Sequence, residues 1–171
     1  MLKYVNTQIV FREIPDETSL AINISGCPIH CPDCHSKNLW EDIGKDLTER
    51  VLNKLIQENP GITCVIFMGG DNDPDTVGKL CKFIKINYIN LKTAWYSGKT
   101  FVPKGYEYLD FLDYIKLGPY ITKYGSLDDY NTNQRLYKLS GIDEVILPLD
   151  GTTPSGRIVK DITHKFWNKE P

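Results

Sequence analysis

The sequence contains no apolar run near the ~18 residues that a membrane span needs. It also lacks an excess of positive charge. Lys and Arg number 20 against 22 Asp and Glu, a formal net charge of −2, so no overall basic field draws in nucleic acid. The opening stretch "MLKYVNTQIVFREIPDE" holds no long apolar core and no small-residue cleavage site, so no secretory leader is expected. These absences set the expectation of a cytoplasmic protein with no membrane contact and no direct contact with nucleic acid. Internal repeats and low-complexity segments are lacking too. A length of 171 residues fits a single domain spanning 1–171, with a core over about 18–140 and a tail, 141–171, of uncertain placement.

What the chain does have is an uneven distribution of cysteine. The count is 5, an odd number, and clustered thiols in a cytosolic chain more often bind metal or do chemistry than pair as disulfides. Cys64 and Cys81 stand alone inside apolar patterns and read as small core residues. Cys27, Cys31 and Cys34 instead share one tight loop, "CPIHCPDCHSKNLW", spaced C-x3-C-x2-C. One reading is a structural zinc site with His30 or His35 as fourth ligand. Such sites usually come as two separated ligand pairs, whereas here every donor lies on one loop. The other reading is an iron–sulfur cluster, whose natural ligands are thiolates and whose 4Fe–4S form normally takes four of them. Three thiolates would leave one iron open, as a catalytic metal site requires. Pro28 and Pro32 stiffen the loop.

The surrounding pattern alternates. "SLAINISG" places Leu20, Ile22 and Ile24 on one side of a strand that runs directly into Cys27. A helix is expected from a cap at Asp46 with Glu49 as its capping-box partner, its apolar face Leu47, Val51, Leu52, Leu55 and Ile56, ending at "NPG". "TCVIFMGG" has the continuous apolar character of a strand covered on both faces. Asp73 and Pro74 open a second helix, with Val77, Leu80, Cys81, Ile84 and Tyr88 on one face. "LKTAWYSG" and "DYIKLGPY" read as further strands, "YEYLDFL" as a short helix, and "DEVILPLDG" as a late strand or hairpin arm. The N-terminal residues read as an extended lead-in. Strand and helix in alternation predict an α/β fold with mostly parallel strands joined by crossover helices. Ligands of such sheets bind at the C-terminal strand ends. The cysteine loop, "GGDNDP", "YSGKT" and "GPYITKYG" all fall there.

A C-x3-C-x2-C loop after the first strand of an α/β repeat resembles the radical S-adenosylmethionine (SAM) superfamily, and "FMGGDNDP" resembles its Gly-Gly-Glu-Pro element. The resemblance implies a partial, incomplete β/α barrel and two cofactors, a 4Fe–4S cluster and SAM. Cys27, Cys31 and Cys34 would be the cluster ligands, and the open iron would hold the amino and carboxylate groups of SAM. An electron from the reduced cluster would cleave the sulfonium and yield a 5′-deoxyadenosyl radical. Asp33, Cys34 and His35 would lie by the adenine, Gly69, Gly70 and Asp71 by the methionine part, and Ser97 by the ribose or carboxylate. For Ser97, an ordinary strand-end serine is an equal reading. Trp40 either shields the loop or is a core aromatic. His30 reads as a solvated loop residue.

Four stretches in order narrow the resemblance to the activating proteins of anaerobic (class III) ribonucleotide reductase: "SGCPIHCPDCHSKNLWE", "GKDLT", "AWYSGKTF", and "LGPYI" with "NTNQRLYKL". The match covers roughly residues 3–139. It implies that the substrate is a glycine in the large subunit of the reductase, a glycyl-radical protein, and that an electron donor such as flavodoxin or ferredoxin supplies the cluster. Asn133, Gln134 and Arg135 would face that partner or cap a late helix. The sequence departs from the subfamily in having Asp33 where Gly is usual, Asn72 and Asp73 inserted before the proline, and Leu117 in place of an acidic residue. A different small radical SAM enzyme and a zinc-stabilised binding module are the competing readings.

Overall fold

The structure is a computed structural model, and it describes residues 1–102, 110–142 and 157–167. Ten regular elements follow one another. They are β1 (Lys3–Val10), β2 (Ser19–Ile24), β3 (Lys45–Asp46), α1 (Glu49–Gln57), β4 (Cys64–Met68), α2 (Pro74–Asn87), β5 (Lys92–Tyr96), β6 (Tyr114–Leu117), β7 (Arg135–Ile142) and β8 (Arg157–Asp161).

All eight strands join one sheet in the order β3-β1-β2-β4-β5-β6-β7-β8. The centre is parallel: β2 with β4, β4 with β5, and β5 with β6. Both flanks are antiparallel, β1 against β2 and β3 on one side, β7 against β6 and β8 on the other. The sheet is thus mixed rather than mostly parallel as the alternation of elements suggests: four of the seven pairings among the described residues are antiparallel. The N-terminal residues are therefore a full strand rather than a lead-in. The segment expected as a late helix is β7. Leu136 and Leu139 have helical spacing, yet they bury on opposite faces of the sheet, as an odd offset on a strand demands. "DEVILPLDG" and most of "YEYLDFL" lie outside the described residues.

The alternation of side chains divides the core. Leu20, Ile22, Val65, Phe67, Trp95 and Ile115 pack on one face against Leu52 and Ile56 of α1 and Val77, Leu80, Cys81 and Ile84 of α2. Both helices thus cover the same face. Ile14, Cys64, Ile66, Ala94, Tyr114, Leu136 and Ile162 form the opposite core. Cys64 and Cys81 are buried and unpaired, as their apolar surroundings predict. Among the described residues no helix is long and apolar enough to cross a membrane.

The helix starts show how local chemistry fixes the frame. α2 begins where expected: the Asp73 carboxylate accepts from the Thr76 N–H at 3.1 Å, with Pro74 in the first turn. α1 begins later than expected. Its cap is Thr48, whose hydroxyl accepts from the Val51 N–H at 3.3 Å. Asp46 is instead held by strand pairing with Lys3.

Candidate functional site

The last row of the parallel strands defines the floor of the site. Asn23, Met68, Tyr96 and Lys116 are successive register partners across β2, β4, β5 and β6. They share the face away from the helices. All four line a cavity of about 200 Å³ whose other walls include Cys27, Cys31, Cys34, Trp40, Asp71 and Ser97. The expected convergence of the cysteine loop, the double-glycine turn and the Ser-Gly turn is thereby met in one place.

The cysteine loop leaves β2 and returns along it. Gly26, at φ +72°, donates its N–H to the Glu41 carbonyl at 3.0 Å, and Cys27 donates to the Leu39 carbonyl at 2.9 Å. The Cys34 N–H closes a turn on the Cys31 carbonyl at 3.0 Å. The thiols are half-buried and form no disulfide. Backbone amides already point at two of them: Ser36 N–H donates to Cys34 Sγ at 3.3 Å, and those of Ile29 and His30 face Cys27. Burial raises the Cys27 thiol above its usual range, and those amides counter part of the rise. N–H donors aimed at sulfur are one of the ways a protein tunes a bound iron–sulfur centre.

The two histidines are occupied elsewhere. His30 stacks on Trp40 with ring centroids 4.7 Å apart, and Lys37 reaches over the same indole at 5.6 Å. His35 lies against Tyr120 at 4.9 Å. Trp40 thus packs on the loop, with its indole N–H buried and without a hydrogen-bond partner. Among the described residues no three His, Cys, Asp or Glu side chains are arranged to hold one metal ion. A tetrahedral zinc site needs its donors to converge on a point. A cluster does not, because each thiolate takes its own iron. Three free thiols lining one cavity are a donor set that fits an iron–sulfur cluster.

The second wall is built from "GGD" and "SGK". Gly69 and Gly70 have φ of +103° and +94°, the region that favours glycine. A Cβ on Gly70 would stand 2.7 Å from Val77 Cγ2, and one on Gly69 3.1 Å from the Ile24 carbonyl oxygen. Within the structure it is the protein's own packing that requires these glycines. Gly69 lines the cavity, while Gly70 is buried outside its lining. The Gly69 carbonyl accepts from the Trp95 indole N–H at 2.7 Å. Asp71 is buried and accepts from the Ser97 hydroxyl and, at 2.8 Å, from the Gly98 N–H. Gly98 in turn packs on the cysteine loop, since a Cβ there would meet Ile29 at 2.7 Å.

Asp33 turns outward, accepting from the Thr122 hydroxyl at 2.6 Å, and lines neither this cavity nor its neighbour. That neighbour is an open cleft of about 730 Å³. His35, Met68, Tyr96 and Tyr120 line it, with Phe11, Leu127, Gln134 and Phe166 further out. Met68, Tyr96 and Tyr120 belong to both linings, so the cleft leads to the thiols. Of the late Asn-Gln-Arg segment, Gln134 alone reaches the cleft. Arg135 instead clamps the carbonyls of Thr132 and Gln134 at 2.5 and 2.8 Å.

Lys116 is the residue that sequence reasoning missed. It is 8% exposed on the cavity floor, with its ammonium donating to the Gly118 carbonyl at 2.6 Å and lying 5.9 Å from the Tyr96 ring centroid. Burial lowers its pKa to about 8, while the nearby Cys31, Asp71 and Cys27 charges pull it upward. The signal was present in "YIKL", a lone lysine inside a strand otherwise buried on both faces.

The model of the 4Fe-4S single cluster domain family matches residues 18–136, most of the chain. No curated protein and no solved structure matches it.

Proposed function

This chain belongs to the 4Fe-4S single cluster domain family, and on that premise we propose that it is a radical SAM activase. Its substrate would be a glycine of a partner protein, the large subunit of an anaerobic ribonucleotide reductase. The observation that carries this reading is the shared cavity: three unpaired thiols, the Asp71–Ser97 wall and the ends of the parallel strands face one space. The four central strands, parallel and in chain order with both helices on one face, support the partial β/α barrel that we assign to the chain, and the antiparallel flanks are additions to it.

Cys27, Cys31 and Cys34 would hold the cluster as thiolates. Held there, the cluster would supply the single electron that reductive cleavage of SAM to methionine and a 5′-deoxyadenosyl radical requires. The protein's own task is placement and exclusion. Asp71, fixed by Ser97 and Gly98, would offer a carboxylate oxygen, and the Gly69 carbonyl its second lone pair, to the ammonium end of SAM. A bond of that charged kind is about twice as strong as a neutral one. The backbone around Cys34 and His35 would meet the adenine. The Asp33 side chain is committed to Thr122, so any part it has in binding falls to its backbone.

The cleft beside Met68, Tyr96 and Tyr120 is the approach for the partner's glycine loop. Its rim carries Phe11, exposed at 70%. A large exposed aromatic at the mouth of a cleft is a typical anchor for a protein partner. The reductant would be a one-electron donor of the flavodoxin or ferredoxin kind, in the cytoplasm.

The test is anaerobic. Reconstituted protein, a low-potential reductant, SAM and a candidate reductase subunit are mixed, and electron paramagnetic resonance is recorded. A glycyl-radical doublet on the subunit supports the proposal. Deoxyadenosine without a doublet points to a different radical SAM substrate. A colourless protein carrying one zinc per chain points to a binding module and overturns both.

A further inference from the structure

The cavity lining has two charged side chains besides the thiols, Asp71 and Lys116. They are treated very differently by their surroundings. The Asp71 carboxylate is answered by the Ser97 hydroxyl and the Gly98 N–H. The Lys116 ammonium has three N–H donors, and its direct contacts among the described residues are neutral, the Gly118 carbonyl and the face of Tyr96. Among the described residues no carboxylate lies within ion-pair distance of it. A buried ammonium whose charged neighbours, Asp71 and the thiols, all lie beyond ion-pair distance is costly. Its place at the end of β6, in register with Tyr96 and facing the same cavity as the thiols, says what would relieve that cost.

We infer that Lys116 is the counter-charge of the cavity: its ammonium stabilises the negative charge that a cluster on Cys27, Cys31 and Cys34 gains on reduction, and so raises the cluster's reduction potential. Three thiolates leave the bound cluster anionic, and one-electron reduction adds a further negative charge. Net charge, hydrogen bonds to sulfur and exposure are what set such potentials. The amides of Ile29, His30 and Ser36 supply the hydrogen bonds, and among the described residues Lys116 supplies the only buried positive charge in the lining. The electron comes from an external one-electron donor, and no bond is made or broken. Lys116 is thus a positioning residue in the electrostatic sense, acting on the couple rather than on the substrate. This inference rests on the cluster and not on the activase chemistry.

The experiment uses the full chain, reconstituted anaerobically, with neither SAM nor partner present. Lys116→Met, Lys116→Gln and Lys116→Arg are compared with the parent for iron content and for midpoint potential. The Met and Gln variants are expected to lose at least tenfold in the reduction equilibrium, about 59 mV for a one-electron couple. The Arg variant is expected to stay close to the parent. Equal potentials in all four proteins overturn the inference, as does an Arg shift as large as the Gln shift, since shape rather than charge would then matter. If the Met variant holds no iron, the Gln and Arg pair decides. If none of the three holds iron, Lys116 is a structural requirement of the site and the inference fails. If the potential depends on charge while a separate incubation of the reduced parent with SAM yields no deoxyadenosine, the activase reading alone fails.

Discussion

Asp71, in the turn after β4, accepts the Ser97 hydroxyl proton at the end of β5, and both residues are buried. This bond, with the Gly98 N–H on the other oxygen at 2.8 Å, ties two adjacent strand ends at the wall of the thiol cavity. Hydrogen bonds to a charged group contribute ~1.5–3 kcal/mol net. Ser97→Ala should therefore destabilise the apo protein by about that amount. Asp71→Ala should cost more, since it leaves two donors, the Ser97 O–H and the Gly98 N–H, without an acceptor, although the Ser97 oxygen keeps the Lys99 N–H at 3.1 Å. Urea melts of the two variants check the order. A Ser97→Ala protein as stable as its parent would show that the bond contributes nothing.

The five cysteines should fall into two groups when replaced one at a time by alanine. Loss of Cys27, Cys31 or Cys34 is expected to abolish iron retention after anaerobic desalting. Cys64→Ala and Cys81→Ala are expected to keep full iron, because those side chains sit in the two cores and outside the cavity lining. Each core replacement should cost stability, since it leaves a small void in packed surroundings. Iron assay and thermal melts separate the two groups.

Much of this arrangement is legible from the amino acids, and the exceptions have physical causes. The strand into Cys27, the buried strand before the double glycine and the Asp73 cap are set by local pattern and local hydrogen bonds. The start of α1 was misread because Asp46 is taken by pairing with β1, a partner more than forty residues away that local propensity cannot see. β7 stands where a late helix is expected for the same reason: its pairing with β6 is a long-range contact. The glycines of "GGD" stand out in the sequence as cofactor contacts, whereas in the structure it is packing against Val77 and Ile24 that requires them. Lys116 was invisible because its surroundings depend on the register of β5 and β6 and on where the cysteine loop folds back.

Stability should fall above about pH 9. Burial raises the thiols of Cys64 and Cys81 and the phenols of Tyr96 and Tyr114 above their ordinary values of 9.0 and 10.0. Below those values every one of these groups is neutral in both folded and unfolded chains, and the contribution is complete. Above them the unfolded chain sheds protons that the folded chain keeps, so the unfolded state gains. The slope is about 1.4 kcal/mol per pH unit for each group in that window. Cys81→Ala should flatten the alkaline limb of the apo protein in denaturant melts between pH 8 and 10.5.

Phe11 should matter to the partner and not to the cofactor. It stands 70% exposed on the rim of the cleft that leads to the thiols. Phe11→Asp is expected to leave the melting temperature and SAM cleavage without partner close to those of the parent. The yield of glycyl radical at limiting partner concentration should fall at least tenfold. An unchanged yield would place the docking surface elsewhere.

The central claim is that three thiolates leave one iron open to SAM, and its most direct test is spectroscopic. The reduced, reconstituted protein is frozen with and without SAM, and the electron paramagnetic resonance of the cluster is compared. The account predicts that SAM changes the g-values of the cluster signal, because a new ligand enters the coordination sphere of one iron. A cluster signal identical with and without saturating SAM would contradict it.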